Sequence, residues 1–263
     1  MDNKVAVIIL AAGLGKRMKS AKAKVLHEVV GKPMIMYVLE TAWGIAGNNL
    51  IVVVGYQAEI VRQKISESFE VEFAYQADQL GTAHAVRCAI PYLPENMENI
   101  IILCGDVPLI SHNTLKKFFK YHTETERDIS ILAVDVDDPT GYGRIIMDQS
   151  GNVSGIIEEA DATDDEKSIK TINSGIYCVR KEYLLKSINK IKADNVQEEY
   201  YLTDIISIAY NEKKSVGAVV GQCQKEIIGV NSLQDLKMAE NFMRDLASKK
   251  FKTGQDQNKL QLC

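Results

Sequence analysis

The chain has 263 residues, 46% of them hydrophobic and 25% charged, with a net charge of −4 and a pI near 5.7. This is the balance of a soluble globular protein large enough for one sizeable α/β domain or two small ones, and its acidity argues against a general nucleic-acid binder, which would carry a basic face. The five cysteines, Cys88, Cys104, Cys178, Cys223 and Cys263, are widely spaced with no C-x-x-C pair, so neither a disulfide framework nor a zinc knuckle is implied and the cytoplasm is the expected location.

The apolar run Val5–Ala12 is too short to span a bilayer and lacks the flanks of a signal peptide, so it reads as a buried strand. Lys4–Leu10 is that strand, followed by a glycine-containing loop. A helix is predicted over Pro33–Ala46, with Ile35, Val38, Leu39 and Ala42 on one face. Leu50–Val54 is a second buried strand, Gln57–Ser66 a helix, Val71–Tyr75 a short alternating strand and Thr82–Ile90 another helix. Asn99–Leu103 is a strongly apolar strand, Asn113–Tyr121 a helix and Ile129–Val136 a further strand. Strands alternating with helices predict a parallel sheet covered on both faces, with ligands beyond the carboxyl ends of the strands.

The second half changes character. Tyr142–Met147, Val153–Ile157 and Ile172–Val179 read as strands, with Asp148–Asn152 as a hairpin connection and the acidic stretch Asp161–Lys170 as a mobile loop. Ser232–Lys249 reads as a helix opened by a Ser232/Asp235 capping box, with Leu233, Leu236, Ala239, Phe242, Met243 and Leu246 as its apolar stripe. The expected organisation is one domain over residues 1–250 and a polar, disordered tail over 251–263.

The loop Leu10-Ala11-Ala12-Gly13-Leu14-Gly15-Lys16-Arg17 follows the first strand directly. Its glycines allow a tight turn, and successive backbone N–H groups there can cradle phosphate oxygens. Six cations fall between Lys16 and Lys32 in an otherwise acidic chain, which suggests a polyanionic ligand. The loop is neither a Walker P-loop nor a clean G-x-G-x-x-G, and on its own it reads as readily as an ordinary strand-to-helix turn. Gly105-Asp106 follows the Asn99 strand. Its carboxylate suits Mg²⁺, which keeps waters and substrate phosphates in its shell, although a lone Asp there reads more simply as a helix cap. Gln76 and Gly81-Thr82 precede a helix start and can read a base or hold a phosphate; the plain alternative is capping by Thr82. His27, His84, His112 and His122 show no metal-ligand spacing, and His84 is expected to pack on its helix. No Ser-His-Asp or Cys-His arrangement can be assembled.

Their order is more telling than any one of them. LAAGLGKRM, AKVLHEVVGKPM, QADQLGTAHA, GDVPLI, DDPTGYGRI, GIIEEADAT, INSGIY, EEYYLTDII and GVNS follow one another from Leu10 to Ser232. This series closely resembles the uridylyltransferase domain of the bacterial N-acetylglucosamine-1-phosphate uridylyltransferases, within the nucleotidyltransferase superfamily. The resemblance covers about 230 residues.

The resemblance implies a Rossmann-like α/β fold, a mixed but mostly parallel sheet flanked by helices, with a smaller β-rich lobe that grips the sugar. It implies Mg²⁺-assisted in-line displacement on UTP by N-acetylglucosamine 1-phosphate, giving UDP-N-acetylglucosamine and pyrophosphate. Arg17 and Lys24 would be catalytic. Leu10, Ala11, Ala12, Gly13, Gln76, Gly81, Thr82 and Gly105 would bind the nucleotide. Gly141, Glu158, Asn173, Tyr201 and Thr203 would contact the sugar, and Asp106 and Asn231 would hold Mg²⁺. The expected partners are these small molecules only, with no nucleic acid and no membrane.

Three features depart from the family pattern. Ala23 stands where a proline usually precedes the catalytic lysine, so that loop is expected to be more mobile. Cys104 replaces the aromatic residue often found before Gly-Asp. No hexapeptide repeat of a left-handed β-helix follows, so no acetyltransferase activity and no β-helix trimer are expected, and a monomer or dimer is. The alternatives are a pyrophosphorylase for another sugar 1-phosphate or nucleotide, and a non-catalytic nucleotide-sugar sensor.

Overall fold

The structure is a computed structural model and describes residues 4–221 and 223–253. In chain order its elements are β1 (Val5–Ala11), β2 (Glu28–Val29), β3 (Lys32–Pro33), α1 (Met34–Ala46), β4 (Leu50–Val54), α2 (Ala58–Ser66), β5 (Glu72–Tyr75) and α3 (Thr82–Ala89). Then come β6 (Asn99–Cys104), α4 (His112–Glu124), β7 (Ile129–Asp135), β8 (Arg144–Met147), β9 (Val153–Ile157), α5 (Asp164–Lys167) and β10 (Thr171–Arg180). The last are α6 (Lys181–Ser187), α7 (Asp204–Asn211), β11 (Val216–Val220), α8 (Gln224–Ile227) and α9 (Leu233–Thr253).

The main sheet runs in the order β11-β7-β10-β6-β1-β4-β5. β1 pairs in parallel with β4 and β6, β4 with β5, and β7 with β11. Of these strands only β10 is antiparallel to its neighbours, and it lies between β6 and β7. The sheet is therefore mixed and mostly parallel, as expected.

The strands are apolar throughout because both faces are covered. Val5, Val7 and Ile9 of β1 join the core shared with α1, α2 and α4, while Ala6 and Ile8 join the core shared with α3, α6 and α7. β4 and β6 alternate in the same way. Each fully buried Ile or Val contributes about 1.5–3 kcal/mol, so this two-sided burial is the main force holding the sheet together.

The β8–β9 hairpin hangs from the sheet where Ile172 of β10 pairs with Arg144. Its Ile145, Val153 and Ile156 belong to the same core as Ile205 and Ile206 of α7, so the smaller lobe shares a core with the large one. Arg144 is buried, pairs with Glu159 at 2.6 Å and donates to the Tyr142 carbonyl, which locks the base of the hairpin.

Several elements differ from the sequence expectation. The supposed mobile loop Asp161–Lys170 holds α5, opened by a capping box between Thr163 and Glu166. The helices α6, α7 and α8 and the strand β11 were not expected. The capping box at α9 is present: Ser232 and Asn231 N–H groups donate to Asp235, and Asp235 N–H donates to Ser232. The helix continues to Thr253, into the segment expected as a tail, and residues 254–263 lie outside the described residues. Only Ala239 of the α9 stripe is fully buried, and Leu233 is exposed. Among the described residues no helix is long and apolar enough to cross a membrane.

Candidate active site

The carboxyl ends of β1, β4, β5 and β6 converge on one edge of the sheet, and the motif residues gather there. Gly105 N–H donates to the Leu10 carbonyl at 2.9 Å, so the chain leaving β6 crosses directly over the end of β1. A Cβ on Gly105 would come within 3.0 Å of Ile35 and of Val25, so glycine is what permits the crossing. Asp106 is thereby set beside the loop that follows β1.

Four charged or polar groups meet at this point. Lys24 forms an ion pair with Asp106 and donates to Asn231 Oδ1 at 2.7 Å. Arg17 donates to the same oxygen at 2.7 Å. Gly15, with φ of +70°, lies so close to Lys24 that a Cβ there would sit 2.7 Å from the lysine Cβ. Asn231 arrives from the far end of the chain. Val230 N–H donates to the Asp106 carbonyl at 2.8 Å, and Asn231 Nδ2 donates to Gly229, which turns Oδ1 toward the two cations.

Among the described residues no group of three or more His, Cys, Asp or Glu side chains could hold a metal. A carboxylate and an amide oxygen do converge here, with the Lys24 ammonium between them as a resident cation. One carboxylate completed by substrate phosphates is the donor set Mg²⁺ ordinarily uses, so Asp106 and Asn231 fit that ion.

From this cluster a cavity of about 290 Å³ extends toward the β8–β9 lobe. Its far wall carries Glu158, Asn173 and Thr203. Thr203 donates to Glu158 at 3.1 Å, and Asn173 Nδ2 donates to the Tyr177 hydroxyl at 2.8 Å. Asn173 sits at a bulge in β10, where Gly175 at φ +78° breaks the register. Burial raises the Glu158 carboxyl above its ordinary range, and the Thr203 hydroxyl partly offsets this. The cavity thus has a cation-rich end and a hydrogen-bonding end.

Residues 6–255 match the nucleotidyl transferase family model. The chain belongs to the nucleotidyl transferase family. Its relatives include proteins named bifunctional protein GlmU. The one from Caldanaerobacter subterraneus subsp. tengcongensis is 51% identical over 238 residues, covering 90% of this chain and 51% of the relative. That from Desulfotalea psychrophila is 42% identical, covering 92% and 71%, and that from Bacillus subtilis 42%, covering 95% and 54%. The chain spans about half the length of the first and last of these.

Around this cavity of the nucleotidyl transferase chain, the expected residues fall into three groups. Arg17, Leu10, Thr82, Asp106, Gly141, Glu158, Asn173, Thr203 and Asn231 line the cavity, and Lys24 reaches it through Asp106 and Asn231. Ala11, Ala12, Gly13, Gln76 and Gly81 do not line it; they lie at or just after the ends of β1 and β5 and before α3, with Ala11, Ala12 and Gln76 buried. There a Cβ on Gly55 would lie 2.9 Å from the Ala12 carbonyl and 3.0 Å from that of Gln76. Tyr201 does not line the cavity; it is buried behind it, and burial together with Asp161 and Glu158 raises its hydroxyl above the ordinary range.

Within the Gly-Tyr-Gly-Arg turn the roles divide. Gly141 faces Arg17, whose Nη1 would be 3.7 Å from a Cβ there, so it belongs to the cationic end. Gly143 backs onto Glu158, and its carbonyl accepts from Asn173 N–H at 2.8 Å, so it is Gly143 that borders the hydrogen-bonding end. Gly143, Tyr142, Ser174 and Tyr177 line the cavity and were not singled out from the sequence, although the turn itself was.

The loop before Lys24 is not slack. Ala23 N–H donates to Gln57 Oε1 at 2.8 Å, and Gln57 Nε2 and the Tyr56 hydroxyl both donate to the Ala21 carbonyl at 2.9 Å. A proline at residue 23 could not make the first of these bonds. Cys104 is pushed up to about 12 by burial and is no nucleophile. His122 is buried between Ser130 and Asn99 and is structural. His84 contacts Gln76 and is not simply packed on its helix.

Proposed function

We propose that the chain joins UTP to N-acetylglucosamine 1-phosphate, releasing pyrophosphate and UDP-N-acetylglucosamine. The observation that carries this reading is one cavity with Arg17, Lys24, Asp106 and Asn231 at one end and Glu158, Asn173 and Thr203 at the other. Two anions must be brought together, and the first end supplies the neutralising charge; the second supplies donors and acceptors for a polyhydroxy ligand. The name GlmU on the relatives agrees with this reading.

Arg17 and Lys24 are well placed to hold the triphosphate, because both already bind an oxygen at the mouth of the cavity. Asp106 and Asn231 would hold Mg²⁺, which orients the phosphates and offsets developing charge. Glu158 and Thr203 orient the sugar while Asn173, held by Tyr177, presents its amide toward it. No covalent intermediate with the protein is required, in keeping with the inert Cys104.

The test is pyrophosphate release with Mg²⁺, UTP and N-acetylglucosamine 1-phosphate, beside glucose 1-phosphate, glucosamine 1-phosphate and the other nucleoside triphosphates. Release that needs the first pair supports the reading. Release with another pair moves the sugar or base assignment, and binding of UDP-sugar without any release points to a sensor.

A further inference from the structure

Gln76 is almost fully buried, and its side-chain amide is held at two points. One is the Gly81 carbonyl at 3.1 Å and the other is His84 Nδ1 at 3.1 Å. A carbonyl oxygen only accepts, so the group facing Gly81 is the amide NH₂. The same NH₂ faces His84, so Nδ1 must accept and the imidazole proton sits on Nε2, on the side of Cys88. Both contacts use the nitrogen. Among the described residues no hydrogen bond reaches Gln76 Oε1, so Gln76 presents an acceptor.

Neither anchor is free to move. Gly81 has φ of +108°, and a Cβ there would lie 2.6 Å from the Tyr200 carbonyl. Tyr200 N–H donates to Leu80, and Ala83 N–H donates to Tyr200, so the Gly81 carbonyl is fixed from both sides. His84 is on α3, whose Ala83, Ala85 and Val86 are buried in the core.

We infer that His84 is a positioning residue for base selection. Together with the Gly81 carbonyl it holds the Gln76 NH₂ at two points, so that Oε1 is the atom presented to the base. A pyrimidine with an imide N–H at that edge is accepted; one with a lone pair there, as in cytosine, meets acceptor against acceptor. The inference rests on the uridylyl-transfer reading and adds the residue that enforces it. A buried polar group left unpaired discriminates far more sharply than a misfit of size.

The experiment compares kcat/KM for UTP and for CTP in the full chain, wild type against His84→Phe and His84→Asn. Phenylalanine removes the acceptor and keeps the ring, whereas asparagine keeps an acceptor near the Nδ1 position. With His84→Phe the UTP-over-CTP ratio should fall about tenfold or more, chiefly through a raised KM for UTP, because the amide then keeps a single hold, on the Gly81 carbonyl, and can swing about it. His84→Asn should recover most of the ratio. Should His84→Phe not fold, His84→Ala removes the same acceptor with less strain and is read in the same way. A wild-type preference for UTP that survives loss of the acceptor overturns the role of His84 and leaves the proposed reaction standing. A wild type with no preference for UTP overturns the reaction itself, and this inference with it.

Discussion

Lys24 and Asp106 lie 82 positions apart in the chain and meet as a partly buried ion pair at the mouth of the cavity, with the lysine also donating to Asn231. On the proposed reading, a divalent cation would take the place that the ammonium holds between the two oxygens. Metal entry and release of Lys24 toward substrate would then be coupled, since each competes for the same oxygens.

Lys24→Met should accordingly raise the affinity of the free protein for Mn²⁺ by about fivefold or more, even as it removes activity. A Mn²⁺ titration followed by electron paramagnetic resonance reads this directly. Unchanged affinity would show that the lysine does not compete.

Asp106→Asn should lower turnover by about 100-fold or more, because charge is lost where charge develops. The fold should persist, since asparagine keeps the shape of the aspartate and Lys24 keeps its bond to Asn231. Pyrophosphate release and thermal melting check the two halves of this expectation.

Asp204 carries a pH signature. Burial, with Asp161 nearby, raises its carboxyl from 3.8 to about 6. A raised carboxyl favours the folded state below its unfolded value, and that contribution is lost as pH climbs through the folded one. Relative to wild type, Asp204→Asn should therefore gain stability between pH 3.8 and about 6. Urea midpoints measured for both proteins across that range would show a flat difference if Asp204 were ordinary.

Gly81→Ala should cost about 2 kcal/mol or more, from positive φ and from the clash with Tyr200. It should also raise the KM for UTP, since the Gly81 carbonyl holds Gln76. Urea unfolding and steady-state kinetics are the measurements.

Gln57→Ala should reduce turnover by freeing the loop that carries Lys24, because two of its ties run through Gln57. Adding Ala23→Pro in that background should restore much of the loss. Ala23 already has φ of −53°, within the range of proline, and without Gln57 its N–H has nothing to give up. Failure of the double variant to recover activity would show that Gln57 acts otherwise.

The parallel half of the sheet was legible because β1, β4 and β6 are buried on both faces and so read as unbroken apolar runs. The Leu10–Arg17 loop and Asp106 were legible because they follow those runs directly. The region from 181 to 227 was not. In α7, Ile205, Ile206 and Ile208 give no clean helical period over so short a segment, and burial against the β8–β9 lobe decides its form. The Thr163-x-x-Glu166 box that orders α5 was present in the sequence and was outweighed by the acidity around it. Gly143 was obscured by Gly141, since both stand in one turn and only the pairing with Asn173 separates them. His84 needed the fold, because its partner Gln76 is on another element.

The insertion of β10 between β6 and β7 has a consequence for synthesis. A ribosome delivers β1, β4, β5 and β6 early, and these can assemble as a four-stranded parallel sheet. The outer edge of β6, with Ile100 to Ile102, then waits uncovered until residues 177–180 emerge to pair with it. A bare apolar edge of this kind invites pairing with another chain. The nascent protein is thus most exposed to aggregation while the stretch from β7 to β9 is being made, and a pause placed there would lengthen the hazard.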